Sequence, residues 1–187
     1  MYESIRGMSV LIVDASRGIG CRITEAYMEN DASVVVAARS VGDPEAIASG
    51  YSDCYAVECD LRYQKSIKRA VEKATDKLGC LEVVVNSAGI LTRGPPHEAS
   101  ESDLNLVVNV NLLRALRLIK RFVPELMDAD RSCVNISSEA GSRGVQDLSA
   151  YSSSKGGLNT LIKQLAVEYG SENVNVHAIA SRTTKHQ

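Results

Sequence analysis

Short apolar runs alternate with longer amphipathic segments along this 187-residue chain, and this alternation restricts the possible folds more than any other feature. The longer segments predict helices at about Ile19–Asn30, Leu61–Leu78, Glu101–Met127 and Ala150–Tyr169. The apolar runs, which resemble buried parallel strands, are Met8–Val13, Ser33–Ala38, Cys54–Cys59, Glu82–Val85, Ser132–Ile136 and Val174–Ala180. Strands that alternate with helices, without an internal repeat, predict an α/β fold with a doubly wound parallel sheet of about six strands and helices on both faces. The length fits a single domain over residues 1–187.

The composition excludes several classes of protein. Apolar residues make up 44% and charged residues 24%, a globular balance. The 21 Lys and Arg nearly cancel the 23 Asp and Glu, so the net charge of −2 argues against a nucleic-acid partner. No apolar run approaches the roughly 20 residues that span a membrane, and Met1–Gly7 lacks the apolar stretch of a secretory signal. We therefore expect a cytoplasmic protein that binds neither nucleic acid nor membrane.

The cysteines and histidines have no metal-ligand spacing. No two cysteines form a CxxC pair, which predicts reduced thiols. Cys54 and Cys59 are expected to point to opposite faces of the third strand. The residues concerned are Cys21, Cys54, Cys59, Cys80 and Cys133, with His97, His177 and His186. We expect no metal site.

A turn of small residues, Asp14–Gly20, follows the first predicted strand. Small residues there let a backbone approach a pyrophosphate at a helix N-terminus, although an ordinary glycine-containing turn has the same composition. The second strand is followed by Arg39, where a cofactor with a free ribose 2′-hydroxyl usually meets an acidic residue. Arg17 and Arg39 are either two solvated arginines or the partners of a 2′-phosphate. Their shared position favours NADP(H) over NAD(H).

The last predicted helix carries Tyr151 and Lys155, four residues apart and therefore on one face. A free tyrosine has a pKa near about 10, and a neighbouring cation lowers that pKa towards the range useful for acid–base chemistry. Ser138 ends the fifth strand, and Asn111 lies in the preceding helix. All four can meet at one rim of the sheet.

These motifs together resemble the short-chain dehydrogenase/reductase family, and the similarity covers nearly the whole chain. The pattern is similar to that of the 3-oxoacyl-carrier-protein reductases. Gly18 and Gly20 match the family's glycine turn, Asn86–Gly89 resembles its Asn-Asn-Ala-Gly motif, and Asp60 resembles its adenine-contacting aspartate. The four residues of the catalytic tetrad match Asn111, Ser138, Tyr151 and Lys155.

The resemblance implies an NADP-dependent oxidoreductase that transfers a hydride between the cofactor and a carbonyl or alcohol substrate. Tyr151 would be the general acid–base, Lys155 would lower its pKa and bind the nicotinamide ribose, Ser138 would hydrogen-bond the substrate oxygen, and Asn111 would hold a water that relays protons. The implied cofactor-binding residues are Asp14, Ser16, Arg17, Gly18, Ile19, Gly20, Arg39, Asp60, Leu61, Asn86, Ala88, Gly89, Tyr151 and Lys155.

The chain departs from the family pattern at several positions. Asp14 replaces the first glycine of the turn, Ser87 replaces the second asparagine of its motif, and Ser181-Arg182 replaces a Pro-Gly pair. The sequence ends at Gln187, whereas family members continue into a substrate-covering helix and a seventh strand. We therefore expect the seventh strand to be absent and the sixth to be an exposed edge. The alternative function is that of a truncated, catalytically impaired member that folds or binds but turns over poorly.

The long helix predicted around Leu104 has two apolar faces. One face covers the sheet, and the other requires a partner, because a contiguous exposed apolar patch usually marks an interface. The pattern predicts a homodimer or homotetramer through the helices that begin near Leu104 and Ala150. The predicted buried face holds Val108, Ala115, Ile119 and Phe122, and the opposite face holds Leu106, Val110 and Leu113.

Overall fold

A computed structural model describes residues 3–39, 42–127 and 131–182. Its centre is one parallel sheet of six strands in the order β3-β2-β1-β4-β5-β6. The strands are β1 (Ser9–Val13), β2 (Ser33–Ala38), β3 (Cys54–Glu58), β4 (Val83–Asn86), β5 (Arg131–Ser138) and β6 (Val174–Ser181). Each strand lies within two residues of its predicted bounds. The order reverses between β1 and β4, which is where doubly wound sheets bind ligands, at the carboxyl ends of the strands.

Six α-helices connect the strands within the described residues. They are α1 (Gly18–Met28), α2 (Gly42–Ala48), α3 (Gln64–Leu78), α4 (Glu101–Val108), α5 (Arg114–Leu126) and α6 (Ser149–Tyr169). The sequence analysis missed α2, which is short and has a proline in its first turn, where proline is tolerated. Helix α3 begins three residues later than predicted, because the backbone N–H of Arg62 bonds the Asp60 carboxylate in a turn.

The helices cover both faces of the sheet, as predicted. Helices α3, α5 and α6 pack on one face, where Phe122 and Leu158 are fully buried, and α1 and α2 pack on the other. Successive residues of β1 alternate between the two layers because strand side chains have a period of two. Cys54 and Cys59 lie in opposite layers, as predicted.

The long predicted helix is helical throughout, but a π-helical segment at Asn109–Leu113 separates α4 from α5. A π turn holds more residues than an α turn. Residues whose spacing would place them on one face of a continuous α-helix therefore lie on different faces when one is in α4 and the other in α5. The predicted faces were therefore partly wrong. Val108 is exposed rather than buried, and Val110 is buried rather than exposed.

Strand β6 forms one edge of the sheet, as predicted, and most of its residues beyond Val176 are exposed. The segment 91–100, between β4 and α4, forms neither helix nor strand, apart from a single bridge between Gly94 and Leu148. Within the described ranges, every helix is too short or too polar to cross a lipid bilayer.

Candidate active site

The turn between β1 and α1 has a backbone conformation that lets neighbouring groups approach it closely. Asp14 has φ 61° and Gly18 has φ 59°, both in the left-handed region that favours glycine. A Cβ on Gly20 would lie 2.6 Å from the carbonyl oxygen of Asp14 and closer still to the Ser87 hydroxyl. Gly20 therefore lets α1 approach the end of β1.

Ser87 holds this turn from the neighbouring strand end. Its hydroxyl lies within donor distance of two backbone carbonyls, 2.8 Å from that of Val13 and 2.9 Å from that of Asp14. Its backbone N–H also donates to the Val13 carbonyl. Ser87, which replaces the family's second asparagine, thus fixes Asp14, which replaces the family's first glycine.

The N-terminus of α1 is open to an anion. Arg17 precedes the helix with an extended backbone and no capping side chain, and the first turn holds no acidic residue. The first backbone N–H groups of a helix lack intrahelical partners and carry partial positive charge, so they attract phosphate groups. The Asp14 carboxylate, in contrast, repels an anion, and we find no hydrogen bond or ion pair for it within residues 3–39, 42–127 and 131–182.

A cleft of about 250 Å³ opens beside this turn, at the point where the strand order reverses. Five predicted cofactor residues line it: Asp14, Arg39, Leu61, Ala88 and Gly89. The sequence analysis missed other lining residues, among them Arg62, Ile90, Leu106, Val110 and Arg114. Arg17 does not line the cleft, and its side chain is exposed.

Asp60 lies at the end of β3 and binds Arg62. The Arg62 guanidinium approaches both carboxylate oxygens, with Nη2 2.6 Å from Oδ2, and the Arg62 backbone N–H adds a further bond. These hydrogen bonds lower the pKa of Asp60 and keep it ionised. A carboxylate has about four acceptor sites, and Arg62 already makes two contacts with each oxygen of Asp60.

A buried pair of asparagines fixes the loop after β4. Asn86 donates through Nδ2 to Oδ1 of Asn135 on β5 at 3.0 Å, and its own Oδ1 accepts the backbone N–H of Ala88. Both side chains are almost completely buried. Asn86 therefore positions the backbone of Ala88 and Gly89 in the cleft.

Asn111 lies in the π-helical segment with its side chain fully buried. Its Nδ2 donates to the Ile90 carbonyl at 2.9 Å and to the Ser154 hydroxyl at 3.0 Å, while its Oδ1 accepts the Ile90 N–H. Asn111 thus joins the wall of the cleft to α6. Ser154 was not predicted, although it immediately precedes Lys155 in the sequence.

Lys155 is buried between α6 and the end of β5. Its Nζ donates to the Ile136 carbonyl at 2.8 Å and lies 6.0 Å from the centre of the Tyr151 ring. Burial lowers the pKa of Lys155 to about 8. A Cβ on Gly89 would lie 3.3 Å from this Nζ and 3.5 Å from Oδ1 of Asn111, so the three residues meet at one point beside the cleft.

Ser138 ends β5 two residues beyond the carbonyl that Lys155 binds. Its hydroxyl accepts the Ala140 N–H at 3.2 Å and so caps a short 3₁₀ turn, Glu139–Gly141. Gly141 packs directly on the backbone of Lys155, since a Cβ there would lie 2.8 Å from the Lys155 carbonyl oxygen. Asn111, Tyr151 and Lys155 therefore lie close together at this rim of the sheet, and Ser138 is connected to Lys155 through the Glu139–Gly141 turn.

The metal prediction concerned three histidines, of which His186 lies outside the described residues. His97 lies in the segment after β4, and His177 is exposed on β6. No group of three His, Cys, Asp or Glu side chains in the described part of the chain is placed to hold a metal ion.

Known proteins are similar to this chain in sequence and fold. The family model for short chain dehydrogenases matches residues 8–187. This chain belongs to that family. It is 31% identical over 181 residues to the ketoacyl reductase HetN of a Nostoc species, covering 94% of this chain and 63% of the Nostoc protein. The chain thus spans somewhat less than two thirds of that relative.

Two carrier-protein reductases are also similar to it. The rhamnolipid-biosynthesis 3-oxoacyl-[acyl-carrier-protein] reductase of Pseudomonas aeruginosa is 30% identical over 202 residues, covering 99% of this chain and 78% of that protein. The structure of the 3-ketoacyl-(acyl-carrier-protein) reductase of Brucella melitensis, solved as a complex with NADH, superposes with a TM-score of 0.89. The two sequences are 23% identical, and the superposition covers 94% of this chain and 76% of the Brucella chain. The similarity therefore confirms the fold.

Proposed function

We propose that this short-chain dehydrogenase is an NADP(H)-dependent oxidoreductase that interconverts a small carbonyl compound and its alcohol. The observation that carries the proposal is the convergence of Lys155, Asn111 and Gly89 beside the cleft, with Tyr151 on the same helix face as Lys155. Burying the charge of a lysine is costly, and a buried lysine with a lowered pKa is typical of a functional site.

The residues of the cleft fit a nicotinamide dinucleotide. Gly20 keeps the β1–α1 turn closed, the α1 N-terminus is uncapped, and Arg39 and Leu61 line the cleft where the adenosine half would lie. Asp60 and Asn86 support the cleft from behind, Asp60 by binding Arg62 and Asn86 by accepting the backbone N–H of Ala88. When bound, NADP(H) supplies or accepts the hydride.

The chain's own residues handle the proton. Tyr151 donates its hydroxyl proton to the carbonyl oxygen in reduction and accepts a proton from the alcohol in oxidation. Lys155 stabilises the phenolate form of Tyr151 and holds the ribose hydroxyls, while Ser138 donates a hydrogen bond to the substrate oxygen. Asn111 fixes the junction of cleft and helix and holds a water that returns protons towards Lys155.

Arg39 carries the proposed preference for NADP(H). It lines the cleft, whereas Arg17 is exposed and outside it, so we assign Arg39 the larger share of 2′-phosphate binding. Charge reversal by Arg39→Glu should weaken NADPH binding and leave NADH binding equal or tighter, measured by fluorescence titration. Lys163→Glu makes the same charge change on exposed α6 and should leave both affinities unchanged. Equal affinities of the wild type for NADPH and NADH would contradict the assignment.

The catalytic assignment is tested with Tyr151→Phe. We expect NADPH-dependent reduction, assayed across a panel of carbonyl compounds that includes 3-oxoacyl thioesters, to fall by about 10²–10⁴-fold while NADPH binding stays nearly unchanged. Tyr169→Phe removes a hydroxyl from the far end of the same helix and should retain the wild-type rate. A Tyr151→Phe variant with an undiminished rate would contradict the mechanism.

We also propose the remaining properties indicated by the sequence. The chain forms a single domain over residues 1–187 and acts in the cytoplasm on a small molecule, with neither nucleic acid nor membrane as a partner. A fluorescent fusion tests the location. Association into a homodimer or homotetramer is argued in the Discussion.

A further inference from the structure

A second pocket, lined by three arginines, lies beside the cofactor cleft. Its volume is about 370 Å³, and its walls come from the turn after β3, from α4, from the π-helical segment and from α5. We call it the arginine pocket. It is lined by Arg62, Ser102, Asn105, Leu106, Asn109, Arg114 and Arg117.

The arginine pocket is adjacent to the cleft but distinct from it. Arg62, Leu106 and Arg114 border both spaces. Arg117 borders only the arginine pocket, whereas the phosphate turn at Asp14 borders only the cleft. A group bound against Arg117 therefore lies on the far side of Arg62 and Arg114 from the turn that would hold the dinucleotide's phosphates.

Two of the three arginines in this pocket have no carboxylate bound to them in the described part of the chain. None of its lining residues is acidic. Arg62 already binds Asp60, and Arg114 donates through Nε to Oδ1 of Asn109 at 3.2 Å. Within the described residues, neither Arg114 nor Arg117 forms an ion pair.

The arginines also repel one another. Burial is the largest cause of the lowered pKa of Arg114. The Asp60 charge opposes it, and the charges of Arg62, Arg39 and Arg117 each add a smaller lowering effect. Arg114 is thus close enough to three other guanidinium groups, those of Arg39, Arg62 and Arg117, for their charges to act on it, with Asp60 as the one opposing carboxylate. An anion placed among them would remove this repulsion and accept charge-assisted hydrogen bonds.

We propose that the arginine pocket binds the phosphate group of a small molecule other than the dinucleotide. Guanidinium groups match a phosphate because their parallel N–H donors pair with two of its oxygens at once. Ser102, Asn105 and Asn109 add neutral polar groups around the three cations and suit the hydroxyls or waters next to the phosphate. This site is independent of the oxidoreductase function proposed above.

Inorganic phosphate is the probe, titrated by calorimetry into the cofactor-free protein at constant ionic strength, with chloride as the reference anion. We expect saturable binding that Arg117→Gln weakens about tenfold, as expected for the loss of one charge-assisted contact. Arg117→Lys keeps the positive charge but lacks the parallel N–H donors of a guanidinium group, so it should weaken phosphate binding less. Lys120→Gln makes the same charge change at an exposed position of α5 outside the pocket and should bind as the wild type does.

Three outcomes overturn the proposal. The first is a wild type without saturable phosphate binding, and the second is an Arg117→Gln variant that binds as tightly as the wild type. The third is a loss of phosphate binding when NADPH, but not NADH, saturates the protein, because the pocket would then be the 2′-phosphate subsite. Retained phosphate binding with NADPH bound supports a separate ligand. Sedimentation of each variant with and without phosphate excludes altered association as the cause.

Discussion

At the scale of single residues, Asp14 combines a left-handed backbone with a negative charge at the edge of the cleft. Two contacts could compensate for this charge: a hydrogen bond from the carboxylate that caps the following turn, or an ion pair with Arg17. Neither is present in the residues that the structure describes. What does hold the position is Ser87, whose hydroxyl reaches the Asp14 carbonyl rather than its carboxylate. The charge therefore remains free to oppose an incoming pyrophosphate.

We predict that Asp14→Gly tightens NADPH binding about tenfold, or roughly 1.4 kcal/mol, because it removes a like charge beside the phosphates. Calorimetry at fixed ionic strength measures the change, and Asp14→Asn should retain most of it. Asp31→Gly is the control. Asp31 also has a left-handed backbone, with φ 59°, but it lies in the turn before β2, at the opposite end of the strand from the cleft. That control should leave NADPH binding unchanged. Equal affinities of the wild type and Asp14→Gly would show that Asp14 does not limit binding.

Lys155 gives a second residue-scale prediction, which concerns stability against pH. Its pKa is about 8 in the folded protein and 10.5 as a reference for the unfolded chain, so between these values only the unfolded chain holds the proton. Unfolding then takes up a proton, and the free energy of unfolding rises with pH over this interval, by about 2–3 kcal/mol from this group.

Chemical denaturation of wild type and Lys155→Met from pH 7 to 10.5 measures this contribution as a difference between the two curves. The wild type should gain stability relative to the variant as the pH rises. Buried cysteines such as Cys59 and Cys133, whose pKa burial raises to about 12, oppose the rise equally in both proteins. Lys163→Met, at an exposed lysine of the same helix, should follow the wild-type curve. Parallel curves for wild type and Lys155→Met would exclude a lowered pKa.

The residues of the candidate site differ in how far the sequence could predict them. Tyr151 and Lys155 lie on one helix, so their spacing alone places them together. Arg62 and Arg114 face the same cleft from different elements, and only the folded topology brings them together. No periodicity connects a turn after β3 with a helix some fifty residues later, which is why both were missed.

At the scale of elements, the contact between α1 and the ends of β1 and β4 depends on Gly20. We predict that Gly20→Ala lowers the free energy of unfolding by about 1–3 kcal/mol, since the new methyl group would meet the Asp14 carbonyl and the Ser87 hydroxyl. Denaturant melts measure the loss. Gly170→Ala makes the same substitution at the end of α6, where nothing lies within 4 Å, and should be neutral or stabilising. A Gly20→Ala variant as stable as the wild type would show that the turn can open without cost.

The π-helical segment shows what element-scale patterns cannot predict. The positions of the strands and the extent of the long helix followed from apolar periodicity, but the assignment of Val108 and Val110 to faces assumed an uninterrupted α-helix. The extra residue in the π turn rotates α4 relative to α5 and buries Asn111 against Ile90 and Ser154. The available signal for the π-helical segment was Asn111, a polar residue that is buried within an otherwise helical stretch.

At the scale of the whole molecule, the outer surface of α4 and α5 leaves several large apolar side chains exposed: Leu106, Val108, Leu113 and Leu116. Helix α6 lies directly beside them, since Gly157 packs against Leu112 closely enough that a Cβ would lie 2.9 Å from a methyl group. Helix α6 therefore packs against the helical stretch on which these apolar side chains are exposed. Faces of this kind usually mark an interface, which supports the homodimer or homotetramer predicted from the sequence.

We predict that the wild type sediments as a dimer or tetramer at micromolar concentration, and that Leu113→Lys shifts it towards the monomer. A lysine at the centre of an apolar interface leaves a charge without a partner, which disfavours association far more than it disturbs an exposed site on a single chain. Val145→Lys is the matched control: Val145 is 37% exposed against 39% for Leu113, but it lies in the segment before α6, so its replacement should leave the association state unchanged. Thermal melts of both variants separate lost association from lost folding. A monomeric wild type, or a Leu113→Lys variant that associates as the wild type does, would show that this face has no partner copy.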